Sequence, residues 1–434
     1  MYMFNKSQKA LKDKVGSFVR EEVMPVAQEL DKNGIFPTQL IKRCGELGLV
    51  APELMTDGHY RASEMCVIFE ELARGNASLA LALTPHYLAC DIMNTAASPE
   101  LRADVMDPAF ALNKLIAYAI SEESGGSDVL SINTTATQIG DEWVINGSKS
   151  WITASGKADG YLIAARTSLN SRSRDISLFY IDASTEGLEA DIGSHMIGLN
   201  SCPTGHITFK NCRIPLVNII GSENQGYALL KPTLQLGRLA VSAIAAGIAG
   251  RALELANNYS TTTGKYGRNL SSYQGIAFML AEMYTKLAAS RCMLYCSAEQ
   301  YDAKERQSAI DVAATKLMST ELACQVCKSA RQIHGAQHVL RAVPPPDGAQ
   351  HAVRHRLRVD AHAPAALFAD EAQLFGRERI RAAALHGVFY EARKVKMRRD
   401  RIHQPSHLRR GERRGRAAAA VERADVLGRF AQQP

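Results

Sequence analysis

The sequence predicts an α+β fold in which an N-terminal helical domain and a C-terminal helical bundle flank a small all-β middle domain. Three observations predict it. Apolar residues recur at spacings of three and four over about the first 110 residues. From Leu115 to Ile220, short β-branched and aromatic runs alternate with turn residues. Helical period then returns after Gly226. The expected domain boundaries are 1–112, 113–222 and 223–336, with residues 337–434 set apart by composition.

Residues 6–30 carry Leu11, Val15, Val19, Val23 and Val26 at helical spacing, and Pro25 is expected to kink or split that helix. Pro37 opens a shorter segment holding Leu40, Ile41 and Leu47, which Gly48 ends. Residues 63–74 and 78–94 are the next helices, with Asn76 as a cap for the second. In the middle domain, Thr135–Ile139 and residues 142–145 read as strands around Gly140-Asp141, and Asn146-Gly147 reads as a further hairpin turn. Residues 161–165, 176–181 and 206–209 complete the β set. Three long helices follow at 238–259, 271–301 and 309–334; the first is rich in Ala and Gly, which permits close packing.

Composition narrows the class. The chain has 434 residues, 46% hydrophobic and 22% charged, with 31 Gly and 15 Pro, which excludes a disordered, collagenous or coiled-coil protein. No uninterrupted apolar run reaches the ~18–20 residues of a membrane span, and the N-terminal stretch lacks a signal-peptide core. Nine irregularly spaced cysteines suit a reducing cytoplasm rather than a disulfide framework. Cys324 and Cys327, like Cys292 and Cys296, read as buried helix residues, and no metal site is expected.

The net charge of +7 is unevenly spread. Residues 337–434 hold 18 Arg, 2 Lys, 7 of the 12 His and no Cys, for a net of +10, whereas residues 1–336 carry −3. An Arg-rich tail raises the possibility of a nucleic-acid or acidic-membrane binder. The acidic body and the lack of aromatic residues interleaved with basic ones argue against nucleic acid.

Chemistry concentrates in two stretches. One is Tyr118-Ala119-Ile120-Ser121-Glu122, continuing through Gly125-Gly126-Ser127-Asp128. It is neither a Walker loop nor the spaced glycines of a nicotinamide site. The other, Asn146-Gly147-Ser148-Lys149-Ser150-Trp151-Ile152-Thr153, sets an indole two residues from a hydroxyl, so that both can face one planar ligand. Trp143 reads as a packing residue.

Together these motifs resemble the acyl-CoA dehydrogenase family of flavoproteins. The helices after Gly226 agree in order and spacing: Arg238, Gly247, Tyr259, Tyr266-Gly267, Gln274, Leu280-Ala281-Glu282-Met283, Lys316 and Gln332-Ile333-His334-Gly335. The resemblance covers about residues 6–336. It implies an acyl-CoA dehydrogenase-like fold with a β-barrel-like middle domain, FAD as cofactor and an acyl-CoA or acyl-carrier thioester as substrate. It also implies a homotetramer and electron-transfer flavoprotein as electron acceptor. Tyr118, Ile120 and Ser121 would meet the flavin's pyrimidine edge, and Ser127 its pyrophosphate or the acyl-CoA. Trp151, with Ile152 behind it, would cover the ring, and Thr153 would lie near N5. Gln274 and Gln332, Ile333, His334 and Gly335 would reach a neighbouring subunit's FAD. Gln235 and Arg238 would support the acyl-CoA pocket.

Departures from the family pattern set the limits. Thr263 stands where the family usually places an Arg on the cofactor phosphate, and Gln235 replaces an acid. The family's catalytic carboxylate belongs to a C-terminal Tyr-Glu-Gly-Thr, which is absent; the alternative position, just before Arg238, is Gly237. Asp360 has the wrong neighbours for the role. The catalytic base is therefore unassigned. The stop in resemblance at Ala336 and the Arg-rich composition after it predict that this segment is translated out of the ancestral frame, by mutation or sequencing error; the alternative is a native basic extension. The alternatives within the fold are a flavin oxidase or monooxygenase, an acyl-carrier-protein dehydrogenase, or a variant inactive for lack of the base.

Overall fold

The computed structural model describes residues 2–168, 175–193, 196–305 and 308–335. The tail from Ala336 onward, including Asp360 and the segment of doubtful frame, lies outside the described residues.

Six helices lead: α1 (Lys6–Phe18), α2 (Met24–Asn33), α3 (Thr38–Glu46), α4 (Ala62–Gly75), α5 (Ala77–Ala96) and α6 (Pro99–Phe110). The first expected helix is split, with a π-helical turn at Val19–Val23 and Pro25 in the first turn of α2, where its missing N–H costs nothing. Asn76 caps α5 by accepting the Leu79 N–H at 2.9 Å. Ser98 does the same for α6, accepting from Leu101. A two-strand ribbon, β1 (Met55–Thr56) and β2 (His59–Tyr60), lies between α3 and α4.

The middle region is one eight-stranded sheet: β3 (Ile116–Ala119), β4 (Thr135–Ile139), β5 (Glu142–Thr153), β6 (Gly160–Arg166), β7 (Ile176–Asp182), β8 (Leu188–Ala190), β9 (Thr204–Pro215) and β10 (Ile219–Ile220). Both faces of β6 are buried. Leu162 and Ala164 join the large core shared with the helices, while Tyr161, Ile163 and Ala165 join a second core with Trp143, Phe179, Ile207 and Phe209.

Asn146-Gly147 is not a hairpin turn. β5 runs straight through it, paired with β9 on both sides of a register slip between Ile145 and Gly147. Gly147 sits at φ +139°, and a Cβ there would lie 2.7 Å from the Thr134 Cα. The glycine serves a bulge and a close approach, which look like a turn in one dimension.

The last part holds α7 (Gly226–Thr262), α8 (Gln274–Asp302) and α9 (Ser308–His334), with a small ribbon, β11 (Gly264–Lys265) and β12 (Arg268–Asn269), between α7 and α8. By length and composition α7 could cross a membrane, but 61% of its most apolar window is buried inside the protein, as in a core helix. It packs closely on α4: a Cβ on Gly247 would come within 2.2 Å of the Glu70 carbonyl oxygen. Buried Glu70 ties α4 to α8 through Arg291 (2.6 Å) and the Tyr295 hydroxyl (2.8 Å). His86 of α5 accepts the Ile116 N–H at 3.0 Å and meets the Ala109 carbonyl at 3.1 Å, fixing where β3 begins.

Among the described residues no disulfide links any of the nine cysteines, and no metal-binding cluster occurs. Cys327 is buried as expected, but Cys296 is exposed and Cys292 and Cys324 are only partly covered, because α8 and α9 keep one side open.

Candidate flavin and thioester site

β3 delivers the chain into the loop that begins at Ile120. Glu122 and Gly125 exchange two backbone hydrogen bonds of 3.0 Å, closing a tight turn. Asp128 accepts the Leu130 N–H at 3.2 Å and starts the helical turn Val129–Ser131. β5 grips this loop from below, with the Ser150 N–H donating to the Ser121 carbonyl at 2.9 Å. Ile120 faces the core, and Ser121 and Ser127 remain half-buried.

A second bulge in β5, between Lys149 and Ile152, sets the tryptophan. Trp151 takes φ +64°, rare for a bulky residue, and its indole is 59% exposed. Its ring centroid lies 5.2 Å from that of His206 on β9. Ile152 is buried and Thr153 is half-buried. Trp143 instead packs edge-on against Phe179 at 5.2 Å.

Tyr118 joins this group to α7. Its hydroxyl is buried and makes no hydrogen bond of ordinary geometry. Burial pushes its pKa up, against the pull of the Thr233 hydroxyl beside it. That hydroxyl already donates to the Leu229 carbonyl at 3.0 Å. The contact brings the start of α7 to the Tyr118 loop, just ahead of Gln235 and Arg238. The Gln235 Oε1 is also buried without a partner. Arg238 lies inside the helix, not at its end, and makes no ion pair among the described residues.

Gln274, Gln332, Ile333, His334 and Gly335 form a separate group. Gln274 opens α8, and α9 returns antiparallel to it through Ser290–Ser319 (2.9 Å) and Ser297–Thr315 (2.7 Å). The end of α9 therefore comes back beside Gln274. Tyr259 of α7 stacks on His334 there, and Thr263 follows α7 at the same end. Gln274, Gln332 and Gly335 are exposed, while Ile333 is buried. Among the described residues no hydrogen bond or ring contact joins this group to the Tyr118–Trp151 group.

Three family models match in order: the acyl-CoA dehydrogenase N-terminal domain over residues 5–113, the middle domain over 117–212 and the C-terminal domain over 224–357. The chain belongs to the acyl-CoA dehydrogenase family. The third match runs past Ala336, where the motif resemblance stops. The mitochondrial short-chain specific acyl-CoA dehydrogenase of Rattus norvegicus is 31% identical over 336 residues, covering 75% of this chain and 80% of that protein. The caffeyl-CoA reductase–Etf complex subunit CarC of Acetobacterium woodii is 30% identical over 340 residues, 76% and 89% of the two chains. Butyryl-CoA dehydrogenase from Megasphaera elsdenii superposes with a TM-score of 0.79 at 25% identity, covering 89% of this chain and 99% of that one.

The protein is thus an FAD-dependent oxidoreductase of the class acting on CH–CH donors. The residues present fit the cofactor. The outward Trp151 indole offers a flat face for a planar ring, and the buried Tyr118 hydroxyl, beside the Thr233 hydroxyl but without a well-formed hydrogen bond, can take a polar group. Sequence reasoning missed Lys149, Glu122, Thr233 and His206 as parts of this arrangement. Glu122 and Lys149 carried a signal, each standing inside one of the two motif stretches, whereas Thr233 and His206 carried none.

Proposed function

We propose that this chain binds an acyl-CoA thioester beside FAD and desaturates it between Cα and Cβ, the α-proton passing to a base outside the residues assigned above and the β-hydride to the flavin. Bound FAD supplies the hydride acceptor. The chain's own residues bind and orient. Ser121 and Tyr118 meet the pyrimidine edge, Trp151 covers the ring, and Thr153 holds a hydroxyl near N5. Ser127 serves the pyrophosphate or the thioester. Gln235 and Arg238 line the thioester side, the unpaired Arg238 charge suiting a polar carbonyl or phosphate group. Gln274 and Gln332–Gly335 serve the FAD of a neighbouring subunit in a homotetramer. The domains divide near residues 112, 222 and 336. The short-chain dehydrogenase supports a thioester substrate, and CarC supports electron-transfer flavoprotein as partner. Nine cysteines without a disulfide suit a cytoplasmic setting. The observation that supports the reading is the Trp151 indole, turned to solvent at φ +64° by the β5 bulge next to the Ser150–Ser121 backbone hydrogen bond.

A second reading has its own observation. Gly237 stands where a base would be carried on α7, and on this reading the chain binds thioester without abstracting the α-proton; positioned acid–base catalysis contributes ~10²–10⁴-fold. A Cβ at 237 would meet only the Leu88 side-chain tip, at 3.2 Å. Anaerobic mixing with butyryl-CoA separates the readings. Rapid flavin bleaching supports the first. A spectral shift without bleaching, converted to bleaching by Gly237→Glu, supports the second. No spectral response from either protein contradicts both.

A further inference from the structure

Lys149 is the one lysine that is fully buried among the described residues. Its Nζ donates to Glu122 Oε1 at 2.7 Å and to the Ile120 carbonyl at 3.1 Å. These partners flank Ser121 on both sides, and the next residue, Ser150, holds the Ser121 carbonyl itself. Glu122 also accepts the Thr134 hydroxyl (2.6 Å), the Thr134 N–H (3.0 Å) and the Asn133 N–H (2.6 Å). With these four bonds the carboxylate is saturated.

Burying such a pair is an inefficient way to gain stability, since apolar side chains of similar volume often do as well or better. What the pair adds is position. Burial pulls the Lys149 pKa down to about 8, opposed by the Glu122 charge. Burial also pushes Glu122 up, but the Lys149 charge and the hydrogen bonds outweigh it and leave the carboxyl below its ordinary value. Near neutral pH both partners are charged.

We propose that Lys149 is a positioning residue: by clamping the Ile120 carbonyl and the Glu122 carboxylate, it fixes the Ser121 peptide and hydroxyl against the flavin. The inference rests on the reading that Ser121 faces the flavin. A cofactor contact must be held to within about 0.5 Å to keep its effect, and partners behind the contact residue provide that.

The test compares the parent with Lys149→Met, with Lys149→Met/Glu122→Gln and with Thr134→Val. Lys149→Met strands a buried carboxylate and is expected to lower the melting temperature. The double variant removes both charges and should recover much of it. A merely structural role predicts that FAD affinity and flavin midpoint potential recover with stability. Positioning predicts that they do not: the double variant binds FAD at least about tenfold more weakly, with a displaced potential. Thr134→Val, which removes one hydroxyl and should fold, loosens FAD by a few-fold. Parent-like affinity and potential in both the double variant and Thr134→Val overturn the inference alone. Failure of the parent to bind FAD overturns the reading beneath it as well.

Discussion

Trp151 and His206 face each other across β5 and β9, ring centroids 5.2 Å apart and planes inclined by 58°. The imidazole steadies an indole that the bulge has turned toward solvent. Trp151→Ala removes the flat face, and loss of stacking worth about 1–2 kcal/mol should weaken FAD binding roughly tenfold and shift the flavin absorbance. Titration of apoprotein, followed by flavin fluorescence, checks it. Parent-like affinity and spectrum would remove Trp151 from the site.

Acid should destabilise the protein through His86. Burial lowers its pKa from 6.5 to about 4, partly opposed by the hydrogen bond to the Ala109 carbonyl. The unfolded chain binds this proton first, so stability is full above pH 6.5 and is lost as pH falls toward 4. Between pH 7 and pH 4.5 the loss from this group is about 2 kcal/mol. Denaturant unfolding at pH 7 and pH 4.5 measures it. Equal stability at the two values would mean that His86 is not held neutral.

The end of α9 predicts assembly. With Gln274, Gln332 and Gly335 exposed around the Tyr259–His334 stack, the chain should be a tetramer by light scattering at micromolar concentration. Thr263→Arg should slow FAD loss on dilution roughly tenfold by adding a charge-assisted bond. A monomer, or a Thr263→Arg protein that loses FAD as fast as the parent, contradicts this arrangement.

What the sequence made legible was local. Asn76 caps α5 because a side chain three residues from a free N–H can reach it, and Pro25 marks the start of α2 because the first turn is where a missing N–H costs least, although Pro85 and Pro232 lie inside α5 and α7. Cysteine burial was harder to read, because helical spacing does not say which side of α8 stays open. The Asn146-Gly147 bulge was misread because only the pairing with β9 separates a bulge from a turn. Lys149 and Glu122 lie 27 residues apart, and a charged strand residue ordinarily signals a solvent-facing side. The Tyr118–Thr233 contact joins parts of the chain that no local pattern relates.

The tail carries a prediction about the gene. Arg, Ala, Pro and His enrichment after Ala336, with 18 Arg against 2 Lys, is what a GC-rich reading frame yields when shifted. Translation of the other frames downstream of Gln332 should reveal a Glu-Gly-Thr. Its absence from both frames would make the tail native to the chain.

The most direct measurement is the FAD content of the purified protein, read from visible absorbance before and after acid release. The account predicts about one flavin per chain, freed intact by denaturation because it is held only by hydrogen bonds and stacking. A colourless protein that takes up no FAD on titration would contradict it.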